Sequence, residues 1–128
     1  MKASVSWGSQ KQRTVALSSC EAEIVALSEA AKDALYFRKV LDELGALPDK
    51  ATPLATDNKA ARDLSYNPEH HKRTKHVERR HFFVRECVED LKITVPLVKT
   101  TENLADFFTK PLPAKTFFTM RNIIMNIK

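Results

Sequence analysis

At 128 residues the chain is long enough for one domain with a modest core and too short for two. Its two glycines argue against a Gly-rich phosphate loop and against an all-β fold dense in tight turns. A formal charge of +5 and a pI near 9.3 suit a polyanionic partner without deciding the fold. Cys20 and Cys87 lie far apart with no C-x-x-C spacing, and no secretory leader is recognisable. The expectation is therefore reduced thiols, an intracellular protein that is not secreted, and no zinc site. No apolar run approaches the roughly 20 residues of a membrane span, so no membrane partner is expected.

Taken in chain order, Ala3 to Ser9 alternates Val5 and Trp7 with small polar residues and predicts a strand. A long helix follows from about Ser19 to Leu44, with Gly45 at the position of a left-handed cap. Pro53 to Thr56 predicts a short strand ending on Asp57, and KAARDLSYN a short helix stopped by Pro68. Residues 70–91 predict a second long helix with Val77, His81, Val84, Val88 and Leu91 on one stripe. ITVPLVKT reads as a strand whose Pro96 places it at an edge or a bulge. TENLADFFTK begins a helix broken at Pro111, and AKTFFTMRNIIMN forms a last amphipathic one. The order β-α-β-α-α-β-α-α gives an α/β fold, one domain over residues 1–128, with helices covering a small sheet.

Two carboxylates open the first long helix, Glu21 and Glu23. Ser18 with Glu21 fits S-x-x-E, a capping box in which the serine accepts from a helix N–H and Glu21 reaches back to the Ser18 amide. Glu23 has no such role and stands at the border of an apolar stripe of Ile24, Leu27, Ala31, Ala34, Leu35 and Leu41. Asp57 either caps the helix beginning at Lys59 or projects from the carboxyl end of a strand, where α/β sheets bind ligands. Asp106, in the first turns of a helix, suits the helix dipole on its own. Together, three such acids from helix start, strand end and helix start can form an oxygen-rich nest for Mg²⁺.

All four histidines and six cations (Lys72, Arg73, Lys75, Arg79, Arg80, Arg85) fall between Pro68 and Glu86. His71, His76 and His81 are spaced so as to scatter around a helix, which is a poor zinc set. His81 falls on the apolar stripe and reads as a satisfied core residue. The cations form either a solvated face or a sequence-independent phosphate-binding face. Six phosphate contacts would give a log–log salt slope of about −5 on duplex.

The segments SWGSQKQRTVALSSCEAEIVALSEAAKDAL, TDNKAARDLSYNPEHHKRTKHVERRHFFVRE and TTENLADFFTKPL, in this order over nearly the whole chain, closely resemble the ribonuclease H domain of copia-type retrotransposon polyproteins. The resemblance implies a mixed five-stranded sheet flanked by helices, cutting the RNA of RNA–DNA hybrids with two Mg²⁺ or Mn²⁺. It implies metal-binding, catalytic roles for Glu23 in AEIVAL, Asp57 in TDN and Asp106 in NLAD. It also matches HKRTKH to a nucleic-acid contact, selecting Lys72, Arg73, Lys75, His76 and Arg79. A protein of this kind is expected in a cytoplasmic particle or the nucleus.

The resemblance also implies two strands, and a first metal-binding aspartate, ahead of the segment at which this chain starts. No aspartate precedes Asp33, and no histidine precedes Asp106 in LVKTTENLAD. Three of four metal carboxylates are present, and severe loss of metal affinity and rate is expected. In the implied sheet order the two absent strands lie between the first two strands predicted here, so a rearranged sheet or a homodimer through bare strand edges is expected. Three readings follow: an impaired Mg²⁺-dependent ribonuclease, an inactive nucleic-acid-binding module, or a protein-interaction module.

Overall fold

The computed structural model describes residues 4–13, 15–67 and 75–127, without the side chains of residues 75–77. They form two compact units, residues 16–99 and residues 1–15 with 100–128.

The first unit is built on helix α1 (Ser19–Glu43). Ser18 is extended (φ −154°), and its hydroxyl accepts from the Glu21 amide at 3.1 Å. The Glu21 carboxylate reaches one residue further back than the sequence predicts, to the Leu17 amide (2.7 Å) rather than that of Ser18. Two amides at the helix start are thus satisfied reciprocally. At the other end Gly45 takes φ 67°, its amide donates to Asp42 (2.9 Å), and that of Ala46 donates to Leu41 (2.8 Å). These two bonds close a Schellman motif, for which a residue without Cβ is best suited.

After α1 come strand β1 (Thr52–Pro53), helix α2 (Lys59–Tyr66), helix α3 (Lys75–Glu89) and strand β2 (Ile93–Thr94). Ile24, Leu27, Ala31 and Ala34 of α1 form one core with Ala61, Leu64, Val84, Cys87, Val88, Ile93 and Val95. Most of the predicted stripe of α3 is buried there. Leu91 is not: it lies past the helix end at φ 56° and is 75% exposed. Cys87, one turn beyond Val84, is buried instead. His81 is buried as expected, and its Nε2 donates to the Leu64 carbonyl (2.6 Å), one of the last-turn acceptors that α2 cannot satisfy itself. The predicted helical start over residues 70–74 lies outside the described residues.

β1 and β2 run parallel, with Thr52 opposite Ile93, Pro53 opposite Thr94, and a further bridge between Thr56 and Leu97. The rungs from Leu54 N to Thr94 O (2.8 Å) and from Thr56 N to Pro96 O (3.1 Å) are made. The rung between them, from residue 96 to the Leu54 carbonyl, needs an amide hydrogen that proline lacks. Pro96 thus interrupts a ladder that resumes with Val98 N donating to Thr56 O at 2.9 Å. On the far side of β2, the Val95 amide donates to the Tyr66 hydroxyl at 2.9 Å.

The second unit contains a 3₁₀ turn (Thr100–Glu102), the one-turn helix α4 (Asp106–Thr109) and helix α5 (Ala114–Met125). The single helix predicted from TENLADFFTK is therefore a turn followed by a separate short helix; the Asn103 side chain accepts from the Ala105 amide (3.2 Å) between them. Phe107 stacks on Phe117 with centroids 4.9 Å apart, and the Arg121 guanidinium lies 4.9 Å from the Phe118 ring centroid. Met120 is the one buried apolar side chain among this unit's described residues.

Two expectations are corrected here. Residues 4–9 form no strand; Ser4 donates one backbone bond to Ile124 (2.9 Å), and Val5 and Trp7 are largely exposed. Two alternating apolar residues supply propensity but no ladder partner, and pairing is what makes a strand. The sheet among the described residues is two-stranded and parallel rather than mixed. The architecture is helix-rich with a small parallel sheet, compatible with α/β.

Candidate functional site

Glu23 lies on the first turns of α1, half-buried, and its Oε2 accepts from the Thr56 hydroxyl at 3.0 Å. That bond brings a helix-start acid against the end of the β1 ladder, 33 residues on in the chain. Asp57 is the next residue. The local question about Asp57 resolves against capping, because Asn58 is the N-cap of α2 and its Oδ1 accepts from the Ala61 amide (3.0 Å). The half-buried Asp57 carboxylate has no bonding partner among the described residues. Glu23 and Asp57 are hard oxygen donors of one unit, the second without a bonding partner among the described residues, and so fit Mg²⁺ or Mn²⁺ in chemistry.

Asp106 belongs to the other unit, at the first position of α4, and is buried. Its Oδ2 accepts from the Lys110 ammonium one turn on (3.0 Å), so its charge is already balanced locally. Among the described residues no group of three or more His, Cys, Asp or Glu side chains is placed to hold a metal ion. Cys20 and Cys87 are not joined in a disulfide. Burial pushes the Cys87 thiol pKa up from 9.0, partly opposed by the nearby Lys92 ammonium.

Of the predicted nucleic-acid contacts, Lys72 and Arg73 lie outside the described residues, as do the side chains of Lys75 and His76. Arg79 is exposed on α3 with no ion pair among the described residues. Two further cations of this helix are engaged: Arg80 pairs with Glu29 of α1 (3.2 Å), and Arg85 with Glu89 (3.1 Å). Thr56 and Asn58 are not among the residues the motifs select; a hydroxyl residue directly before a strand-end aspartate is the visible signal for Thr56, and an Asn directly before the helix that for the cap.

The chain is 38% identical over 120 residues to the retrovirus-related Pol polyprotein from transposon TNT 1-94 of Nicotiana tabacum, a match spanning 94% of this chain and 9% of that protein. It is 34% identical over 113 residues to the corresponding polyproteins from transposons RE1 and RE2 of Arabidopsis thaliana, spanning 88% of this chain and 8% of each. Its homologues are retrovirus-related Pol polyproteins. The chain spans less than a tenth of the length of these relatives. No protein-family model matches it, and no solved structure does. Among the described residues no helix is long and apolar enough to cross a membrane.

Proposed function

We propose that this chain is the ribonuclease H segment of a retrotransposon polyprotein, with Glu23, Asp57 and Asp106 as its metal-binding carboxylates. The observation that carries the reading is the bond from Thr56 to Glu23. It ties the helix-start acid of AEIVAL to the residue directly before the aspartate of TDN, which supports reading the two acids as parts of one site. Glu23 and Asp57 would hold Mg²⁺ or Mn²⁺, whose chemistry there would be the activation of a water and charge stabilisation at the leaving oxygen in phosphodiester cleavage. The chain's own part is to hold Glu23 and Asp57 at one sheet end and to seat the hybrid's phosphates along α3.

A second reading, nucleic-acid binding without cleavage, is favoured by the Lys110 ion pair that already balances Asp106. Cleavage of an RNA–DNA hybrid in Mg²⁺ or Mn²⁺, compared with a Glu23→Gln/Asp57→Asn control, separates the two. Metal-dependent cutting that the control abolishes supports the first. Equal residual cutting in both proteins refutes it. Hybrid binding across a salt series tests the basic helix. Arg80 and Arg85 are tied to glutamates, so phosphate contact by the four others proposed (Lys72, Arg73, Lys75, Arg79) would give a slope of about −3.6 rather than −5. A slope near zero refutes phosphate contact.

A further inference from the structure

We infer that Thr56 is a positioning residue for Glu23, fixing how that carboxylate is presented to a divalent cation; the inference rests on the metal-site reading above. Every polar group of Thr56 is engaged. Its amide donates to the Pro96 carbonyl (3.1 Å) and its carbonyl accepts from the Val98 amide (2.9 Å). Its hydroxyl oxygen accepts from the Asn58 amide at 3.2 Å, leaving the hydroxyl hydrogen directed at Glu23 Oε2, 3.0 Å away. The side chain is 1% exposed. A β-branched residue pinned at backbone and hydroxyl has little rotamer freedom.

The hydroxyl therefore acts as a fixed relay between the first amide of the α2 turn and the Glu23 carboxylate. It occupies one site on Oε2 and leaves Oε1 with no bonding partner among the described residues. Glutamate otherwise has three rotatable side-chain torsions, and a carboxylate aimed by a fixed donor loses less freedom when it takes up a cation. Such outer partners typically carry about 10–100-fold in metal affinity. The same hydroxyl bond sets the start of α2, so Thr56 aims Glu23 while Asn58, and not Asp57, takes the cap. Thr56 thereby leaves both acids available.

The test uses the full chain and Mn²⁺ alone. Sub-stoichiometric Mn²⁺ broadens backbone amide resonances near its site, at residues 22–24 and 56–58 if the site is as read. Thr56→Val keeps the shape and removes the hydroxyl; Thr56→Ser keeps the hydroxyl. The expected result is that Thr56→Val needs about 10-fold more Mn²⁺ for the same broadening, with the Glu23 carboxyl ¹³C resonance displaced, while Thr56→Ser matches the parent in both. A purely structural clip would leave Mn²⁺ affinity unchanged at matched folding by circular dichroism. Thr56→Val titrating like the parent overturns the role of Thr56 and leaves the metal site standing. A parent chain with no broadening at these residues overturns the metal site, and the inference with it.

Discussion

Replacing each of the two carboxylates at the start of α1 separates helix capping from chemistry. Glu21 is 6% exposed and accepts from the Leu17 amide at 2.7 Å, while its own amide donates to Ser18. Glu21→Ala removes a hydrogen bond to a charged group, worth about 1.5–3 kcal/mol where no replacement exists. Leu17 is exposed, so water recovers part of that. A further contribution of about 0.3–1 kcal/mol is lost with the negative charge at the helix N-terminus. The net expectation is a loss of about 1.5 kcal/mol. With a urea dependence of about 1–3 kcal/mol per molar, the unfolding midpoint falls by about 0.5–1.5 M. Glu23→Gln, by contrast, keeps an oxygen able to accept from Thr56, and its stability stays within about 0.5 kcal/mol. Urea titrations followed by far-UV circular dichroism decide the matter. A midpoint unmoved by Glu21→Ala, or lowered as far by Glu23→Gln, would refute the division of roles.

Pro96→Val supplies the missing rung to the Leu54 carbonyl; the amide gained at position 96 should be protected from hydrogen exchange, with a net stability change under about 1 kcal/mol because proline's restriction of the unfolded chain is lost. An unprotected amide there would show that the ladder is not continuous in register. His81→Leu leaves the Leu64 carbonyl unsatisfied beside the core and should cost about 1–3 kcal/mol, read as a lowered urea midpoint. The raised pKa of Cys87 means that its thiolate forms first in the unfolded chain. Its stabilising contribution is therefore complete below 9.0 and lost as pH rises from there through the folded value. Urea midpoints should fall as pH rises past about 9, and Cys87→Ala should flatten that slope. Lys92, whose pKa is raised by its hydrogen bond to Asp90, has the same sign, its contribution being present below 10.5 and lost only as pH rises beyond that.

Local signals carried the sequence reading well. Ser18, Glu21 and Gly45 bracket α1 because capping chemistry depends on a few adjacent residues, and the 3.6-residue spacing of Ile24, Leu27, Ala31 and Ala34 shows their common face. Pro96 advertised a defect in its strand for an equally local reason. Partnership was harder to read. Val5 and Trp7 alternate as strand residues do, but alternation does not supply a neighbouring strand. TENLADFFTK has helical composition, yet Asn103 captures the Ala105 amide and breaks the segment into a turn and a single helical turn. At the candidate site the motifs point to Glu23 and Asp57, whereas the bond made by Thr56 is not legible, because it is a hydroxyl crossing from one element to another.

The scarcity of buried apolar side chains around α5 has a practical result. One enclosed side chain such as Met120 contributes about 1.5–3 kcal/mol, little more than the entropy of ordering one or two residues. Phe118, Ile123 and Met125 remain half-exposed or more, so this helix frays before α1 does. Limited trypsin treatment is therefore expected to cut at Lys115 and Arg121 before it cuts at Lys32, Arg38 or Lys39 of α1, read by mass spectrometry; cleavage within α1 first would refute this.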